Sequence, residues 1–165
     1  MDEPSKILFF HGLESGPHGT KYRRLSEHFD VVAYDFEGMY DIYDRLKKAE
    51  KKTRGMSDLV VVGSSFGGLL AALLYARHPQ RFRSYVLMAP ALHRDIAGEI
   101  TAMPDDAQVI HGLRDDVVPI EEVRAVCAEH GLSITEVDDE HPLHESLDRM
   151  VEAVRSLLDD GPGRR

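Results

Sequence analysis

From Val60 the chain runs through three valines into Gly63-Ser64-Ser65-Phe66-Gly67-Gly68 and then Leu69-Leu70-Ala71-Ala72-Leu73-Leu74. Few folds accommodate a β-branched run, a Gly/Ser turn and an almost wholly apolar helical segment in that order. The strand must end in a sharp turn, and the helix must be buried on most of its surface. Ser65 has glycine at both flanking second positions, Gly63 and Gly67. That is the G-x-S-x-G spacing of a nucleophile raised on a strand-to-helix turn too tight for side chains at those places. The helix after it directs its N-terminal amides at the serine, where they stabilise negative charge. A chemically idle turn or a phosphate loop fits the five-residue pattern as well. The strand before it and the helix after it favour a nucleophile.

The rest of the chain has the same rhythm, short apolar runs alternating with longer amphipathic ones, which is how a parallel α/β sheet reads. Strands are expected at 7–10, 31–34, 59–62, 85–88, 108–111 and 133–137, and helices at 21–29, 40–53, 66–78, 120–130 and 145–158, with a shorter helix at 92–100. Most of the strands are apolar throughout, as they are when helices cover both faces of a sheet. The expected architecture is a doubly wound, mainly parallel six-stranded sheet in a single domain, residues 1–158, followed by a disordered polar tail at 159–165.

Composition excludes some partners. A formal net charge of −9 over 165 residues opposes a nucleic-acid-binding surface, which needs excess Lys and Arg. The basic group Lys47, Lys48, Lys51, Lys52 and Arg54 has the spacing of a solvated helix face. One cysteine, Cys127, precludes an intrachain disulfide. The first residues lack the basic and apolar regions of a secretory signal, and no apolar stretch is long enough to span a bilayer. A soluble cytoplasmic location is the expectation. Oligomeric state is not readable.

Three further motifs lie just past predicted strands. Phe10-His11-Gly12-Leu13-Glu14-Ser15-Gly16 follows the first strand. Acyl transfer needs two backbone N–H donors aimed at a developing oxyanion: Phe66, after the serine, supplies one, and this loop, at Leu13, the other. His11 and Gly12 are expected to contact substrate. His111-Gly112-Leu113-Arg114-Asp115-Asp116-Val117-Val118-Pro119 follows the fifth strand, with Pro119 opening a helix. A carboxylate here can orient a histidine, although paired aspartates are also ordinary turn and cap residues. Glu140-His141-Pro142-Leu143-His144 follows the sixth, and one of its two histidines is the candidate base. Pro142 keeps His141 in a loop, while His144 is expected to begin the helix. A metal site at this acid-rich segment is the rival reading, but no second ligand cluster accompanies it, so neither metal nor cofactor is expected. Ligand sites in open parallel sheets form at this edge, and the order serine, aspartate, histidine is that of one known hydrolase topology.

These blocks, over residues 6–158, resemble the α/β-hydrolase family, and most of all its small, lidless YqiA-like bacterial esterases. The resemblance implies sheet order 2-1-3-4-5-6 with no cap domain. It implies Ser65 as nucleophile, Asp115 as acid, His141 as base and the Leu13 and Phe66 amides as oxyanion donors. The activity it implies is hydrolysis of small esters or thioesters without a cofactor. The alternatives are an inactive interaction protein on the same fold and, more remotely, a flavodoxin-like nucleotide binder.

Overall fold

The computed structural model describes residues 3–93 and 98–160. Its elements in chain order are β1 (Lys6–Phe10), α1 (Thr20–Ser26), β2 (Asp30–Ala33), α2 (Ile42–Lys52), β3 (Val60–Ser64), α3 (Phe66–Arg77), β4 (Ser84–Met88), β5 (Gln108–Gly112), α4 (Ile120–Glu129), β6 (Ile134–Val137) and α5 (Leu147–Asp159). The strands form one sheet in the order β2-β1-β3-β4-β5-β6, and every neighbouring pair is parallel. All six strands therefore end at the same edge, and the loops that leave that edge can converge.

The central strands are largely apolar because each face of the sheet meets helices. Ile7 and Phe9 pack with Val60, Val62, Val86 and Met88 against α1 and α5. Leu8, Phe10, Val61, Tyr85 and Leu87 pack on the other side against α2, α3 and α4. The α3 helix is buried from Phe66 through Leu74, which explains a segment with no polar face. In α5 only Leu147, Met150, Val151, Val154 and Leu157 are buried, the i, i+3, i+4 stripe of a helix with one wet side.

Several boundaries differ from expectation for local reasons. The α1 helix stops at Ser26, and residues 27–29 turn so that Phe29 enters the core. Asp41 caps α2 by accepting from the Tyr43 amide at 2.8 Å, so that helix begins at Ile42. Pro119 stands at the cap position, one residue before α4 proper. The last helix runs through Asp159, one residue beyond the expected end, and the expected tail falls mostly on residues 161–165, which lie outside the described residues. The short helix expected at 92–100 falls partly on residues 94–97, also outside them. The β4–β5 link, residues 89–107, is too short for a cap domain. Among the described residues no helix is long and apolar enough to cross a membrane.

Candidate active site

At the end of β3 the backbone turns through Ser65, with φ 55° and ψ −112°, into α3. A non-glycine residue held there costs roughly 1–3 kcal/mol, and the surroundings fix it. The Ser65 amide donates to the Met88 carbonyl at 2.9 Å, and the Ser65 carbonyl accepts from Gly68, Leu69 and Ala91. The flanking glycines are required by close approach. A Cβ on Gly63 would lie 2.4 Å from the Gly67 carbonyl oxygen, and one on Gly67 only 2.1 Å from that of Phe10. The end of β1 therefore presses against the first turn of α3.

The Ser65 Oγ lies 2.9 Å from Nε2 of His141, whose Nδ1 lies 2.7 Å from Oδ2 of Asp115. The Asp115 side chain is completely buried. Its other oxygen, Oδ1, accepts from the amides of Val117 and Val118 at 2.9 and 2.7 Å. Burial works to raise this carboxyl, but the His141 bond and the two amides outweigh it and hold it below the usual carboxylate range. An ionised Asp115 makes His141 Nδ1 the donor, which leaves Nε2 to accept the Ser65 proton. Asp116 is exposed beside it.

Asp115 has a second imidazole neighbour that the sequence did not advertise. His111, completely buried in β5, has Nε2 2.9 Å from the Val118 carbonyl and 3.3 Å from Asp115 Oδ2. Burial is the main reason its pKa is lowered, despite the Val118 bond and Asp115. It sits behind the carboxylate as a neutral N–H donor.

The loop carrying His141 is held from several directions. A Cβ on Gly112 would come within 2.4 Å of the Asp139 carbonyl oxygen, so only glycine lets the β5 end and this loop approach. Asp139 accepts from the amides of Glu140 and Glu145 and from the Ser146 hydroxyl, at 2.7, 3.0 and 2.8 Å. Burial opposes its ionisation, but those three donors prevail and hold its pKa low. From α1, the Lys21 ammonium donates to the Pro142 carbonyl at 2.8 Å, and burial pushes its pKa down to about 8 against the pull of Asp139. Asp139's capture of Glu145 and Ser146 delays α5 to Leu147, which corrects the expectation that His144 begins that helix. His144 is an exposed turn residue on the rim. Accordingly His144→Ala should change activity by less than about fivefold, whereas His141→Ala should lower kcat by roughly 10³-fold or more. Ester-hydrolysis assays of the two variants check this, and the reverse ranking would overturn it.

Ser65 and His141 open into a cavity of about 610 Å³, lined also by Gly12, Leu13, Lys21, Phe66, Val117 and Val118. Leu13 and Phe66, the expected donors, thus stand on its wall with Gly12. His11 does not, which corrects the expectation of a substrate contact. It is buried, its Nε2 accepts from the Phe36 amide at 2.8 Å, and its Nδ1 therefore carries the proton given to the Gly12 carbonyl at 2.8 Å. Phe36 is likewise core. Beneath this loop lies a residue the sequence reading missed. Arg45 is fully buried and donates to the carbonyls of Met39, His11, Gly12 and Phe36. Its place on the Ile42, Leu46, Ala49 stripe of α2 was the available signal. Among the described residues no group of three His, Cys, Asp or Glu side chains is arranged to hold a metal ion.

A family described as "alpha/beta hydrolase fold" matches residues 7–119. The chain belongs to the α/β-hydrolase fold family. Its overall shape superposes on a protein described as a hydrolase of the α/β superfamily from Xanthomonas campestris pv. campestris, with TM-score 0.81, 24% identity, and 97% of this chain and 100% of that one covered. Est1E from Butyrivibrio proteoclasticus gives TM-score 0.76 at 14% identity, covering 96% of this α/β-hydrolase-fold chain and 88% of that one. A monoacylglycerol lipase of Paleococcus ferrophilus gives 0.74 at 14%, covering 96% of each chain. Likeness at these identities shows the fold. By sequence, the lipase LipV of Mycobacterium tuberculosis is 29% identical over 121 residues, 62% of this chain and 46% of that protein. This family member therefore matches less than half the length of that curated relative.

Proposed function

We propose that this α/β-hydrolase-fold chain is a carboxylic ester hydrolase, or a closely related thioesterase, that works through an acyl-enzyme on Ser65. The observation carrying the reading is the unbroken run Ser65 Oγ, His141 imidazole, Asp115 carboxylate, with contacts of 2.9 and 2.7 Å at the wall of one cavity. Ser65 Oγ attacks the acyl carbonyl as its proton passes to His141 Nε2, and Asp115 stabilises the imidazolium. The carbonyl oxygen becomes an oxyanion facing the Leu13 and Phe66 amides, with Phe66 at the first position of α3, where helix N–H groups point outward. Collapse breaks the bond to the alcohol or thiol, which leaves with the His141 proton. Water then gives a proton to His141, attacks the acyl-enzyme and releases the acid, returning the proton to Ser65. Protein groups and water supply every step.

Treatment with a serine-directed fluorophosphonate, followed by peptide mapping, tests the reading. Stoichiometric modification at Ser65 together with turnover of nitrophenyl esters or acyl-CoA thioesters is expected. An unlabelled Ser65 with no turnover of either class would favour an interaction protein instead.

Short, water-soluble acyl groups should be preferred to lipid chains. Gaining about 0.8 kcal/mol per methylene needs continuous apolar surface. The site has no cap domain to provide it, and Gly16, Gly19, Thr20 and Lys21 make one wall polar or bare. Phe36 is core, and Tyr40, though exposed, is not among the residues that line the cavity. In a nitrophenyl ester series, kcat/KM should level off or fall beyond the first few carbons. A steady rise from two to twelve carbons would rule this out.

A further inference from the structure

The β1 loop meets a buried cation at the peptide unit that bears the expected oxyanion donor. Arg45 gives Nη1 to the His11 carbonyl at 2.9 Å and Nη2 to the Gly12 carbonyl at 3.2 Å. Its Nη2 also reaches the Phe36 carbonyl, at 3.2 Å, and its Nε the Met39 carbonyl, at 2.8 Å. The guanidinium carbon stands 4.9 Å from the ring centre of Phe66, the residue bearing the second donor. Gly12 lies beside the serine: a Cβ built there would be in van der Waals contact, 3.5 Å from both the Ser64 carbonyl oxygen and the Ser65 Cβ.

In a trans peptide the C=O and the following N–H point in opposite directions, and the chain has no cis bonds among the described residues. The Gly12 carbonyl is pinned toward the interior by two donors, Arg45 Nη2 and His11 Nδ1. The Leu13 N–H of the same peptide is thereby turned the opposite way, and Leu13 lines the cavity. Donors on a peptide oxygen also polarise the unit and strengthen the bond its N–H makes. A cation buried only for packing is expensive, and among the described residues no carboxylate is hydrogen-bonded to this one. Burial brings its pKa down to about 10, partly offset by Asp35, so it remains a cation at neutral pH.

We propose that Arg45 is a positioning residue for acyl transfer, whose guanidinium holds and polarises the Gly12–Leu13 peptide so that the Leu13 N–H meets the oxyanion. The inference rests on the reading of Ser65 as an acyl-transfer nucleophile. Lysine at position 45 keeps a charge but is a point donor without the planar fork that joins His11 and Gly12. Methionine keeps the stem and no donor.

The test is steady-state ester hydrolysis by the full chain and by Arg45→Lys and Arg45→Met, with kcat expressed per Ser65 site titrated to completion by a fluorophosphonate. A trifluoromethyl ketone, which forms a tetrahedral oxyanion on the serine, is measured as an inhibitor in parallel. We expect kcat per site to fall about 10-fold in Arg45→Lys and about 100-fold in Arg45→Met, approaching loss of one oxyanion donor. KM should move less than about threefold, and ketone affinity should weaken in step with kcat/KM. A merely structural role would lower the titrated fraction and leave kcat per site and ketone affinity unchanged. That result in Arg45→Lys alone would overturn the proposal, even where Arg45→Met does not fold. Wild-type protein that neither labels at Ser65 nor turns over would remove the underlying reading and this inference together. Wild-type activity with unaffected Arg45 variants removes only the inference.

Discussion

Asp115→Asn is expected to lower kcat about 10⁴-fold, while Asp116→Asn leaves it within about threefold. The size of the first effect comes from how the two Asp115 oxygens are used. Oδ1 accepts from the Val117 and Val118 amides, and Oδ2 accepts from His141 Nδ1. An asparagine must keep its oxygen on the two amides, because an NH₂ group there would face two donors. Its own NH₂ then faces His141 Nδ1, which can meet it only as an acceptor. The ring proton is forced to Nε2, and the imidazole can no longer take the Ser65 proton, the wrong-tautomer loss known to reach about 10⁴. Asp116 is exposed, and among the described residues no such bond depends on it. Kinetics of both variants with a nitrophenyl ester, alongside thermal unfolding to show retained fold, decide the point. Comparable losses at the two positions would show that the roles are misassigned.

Ser65→Ala should lower kcat by roughly 10³-fold or more and abolish phosphonate labelling, while Ser64→Ala should leave both nearly intact. Ser64 closes strand β3 and is buried, whereas the turn at φ 55° carries Ser65 out of the strand to His141. Alanine meets the same strain as serine at that φ, so stability should change little and the kinetic loss can be read as lost chemistry. The residual rate would come from the oxyanion donors and binding alone, as triads behave when one member is deleted. Labelling of Ser65→Ala at the wild-type rate would place the nucleophile elsewhere.

The parts of this site that were legible in the sequence are those written by short-range rules. Gly63 follows from a clash within one turn, with the Gly67 carbonyl. The parallel α/β class follows from the alternation of apolar runs, whereas the strand order comes with the family resemblance. His141 could be kept out of a helix because Pro142 is its neighbour. What stayed hidden depends on contacts between distant segments. Arg45 lies in a stretch rich in lysine, and its partners His11 and Gly12 are 34 and 33 positions away. His11 is expected from the sequence to contact substrate, and only the Phe36 amide, supplied by the segment after β2, shows that it faces inward. The late start of α5 likewise follows from Asp139 reaching forward to Glu145 and Ser146, a loop closure with no periodic signature. His111 read as a strand residue, and its contact with Asp115 needs the β5 turn to fold back on itself.

On the proposed mechanism, the brevity of the link between β4 and β5 bears on the fate of an acyl group once it is on Ser65. Transfer to an alcohol or amine in place of hydrolysis needs a site closed against water, which protects a reactive intermediate. Among the described residues nothing of domain size roofs the serine, and the His141 side chain that would activate the incoming nucleophile is itself 19% exposed. The commonest molecule at that imidazole is water, at about 55 M in dilute solution, and a competing acceptor would have to win by affinity for a wall that is partly glycine. Partitioning should therefore run toward the free acid, making the reaction effectively one-way in dilute solution.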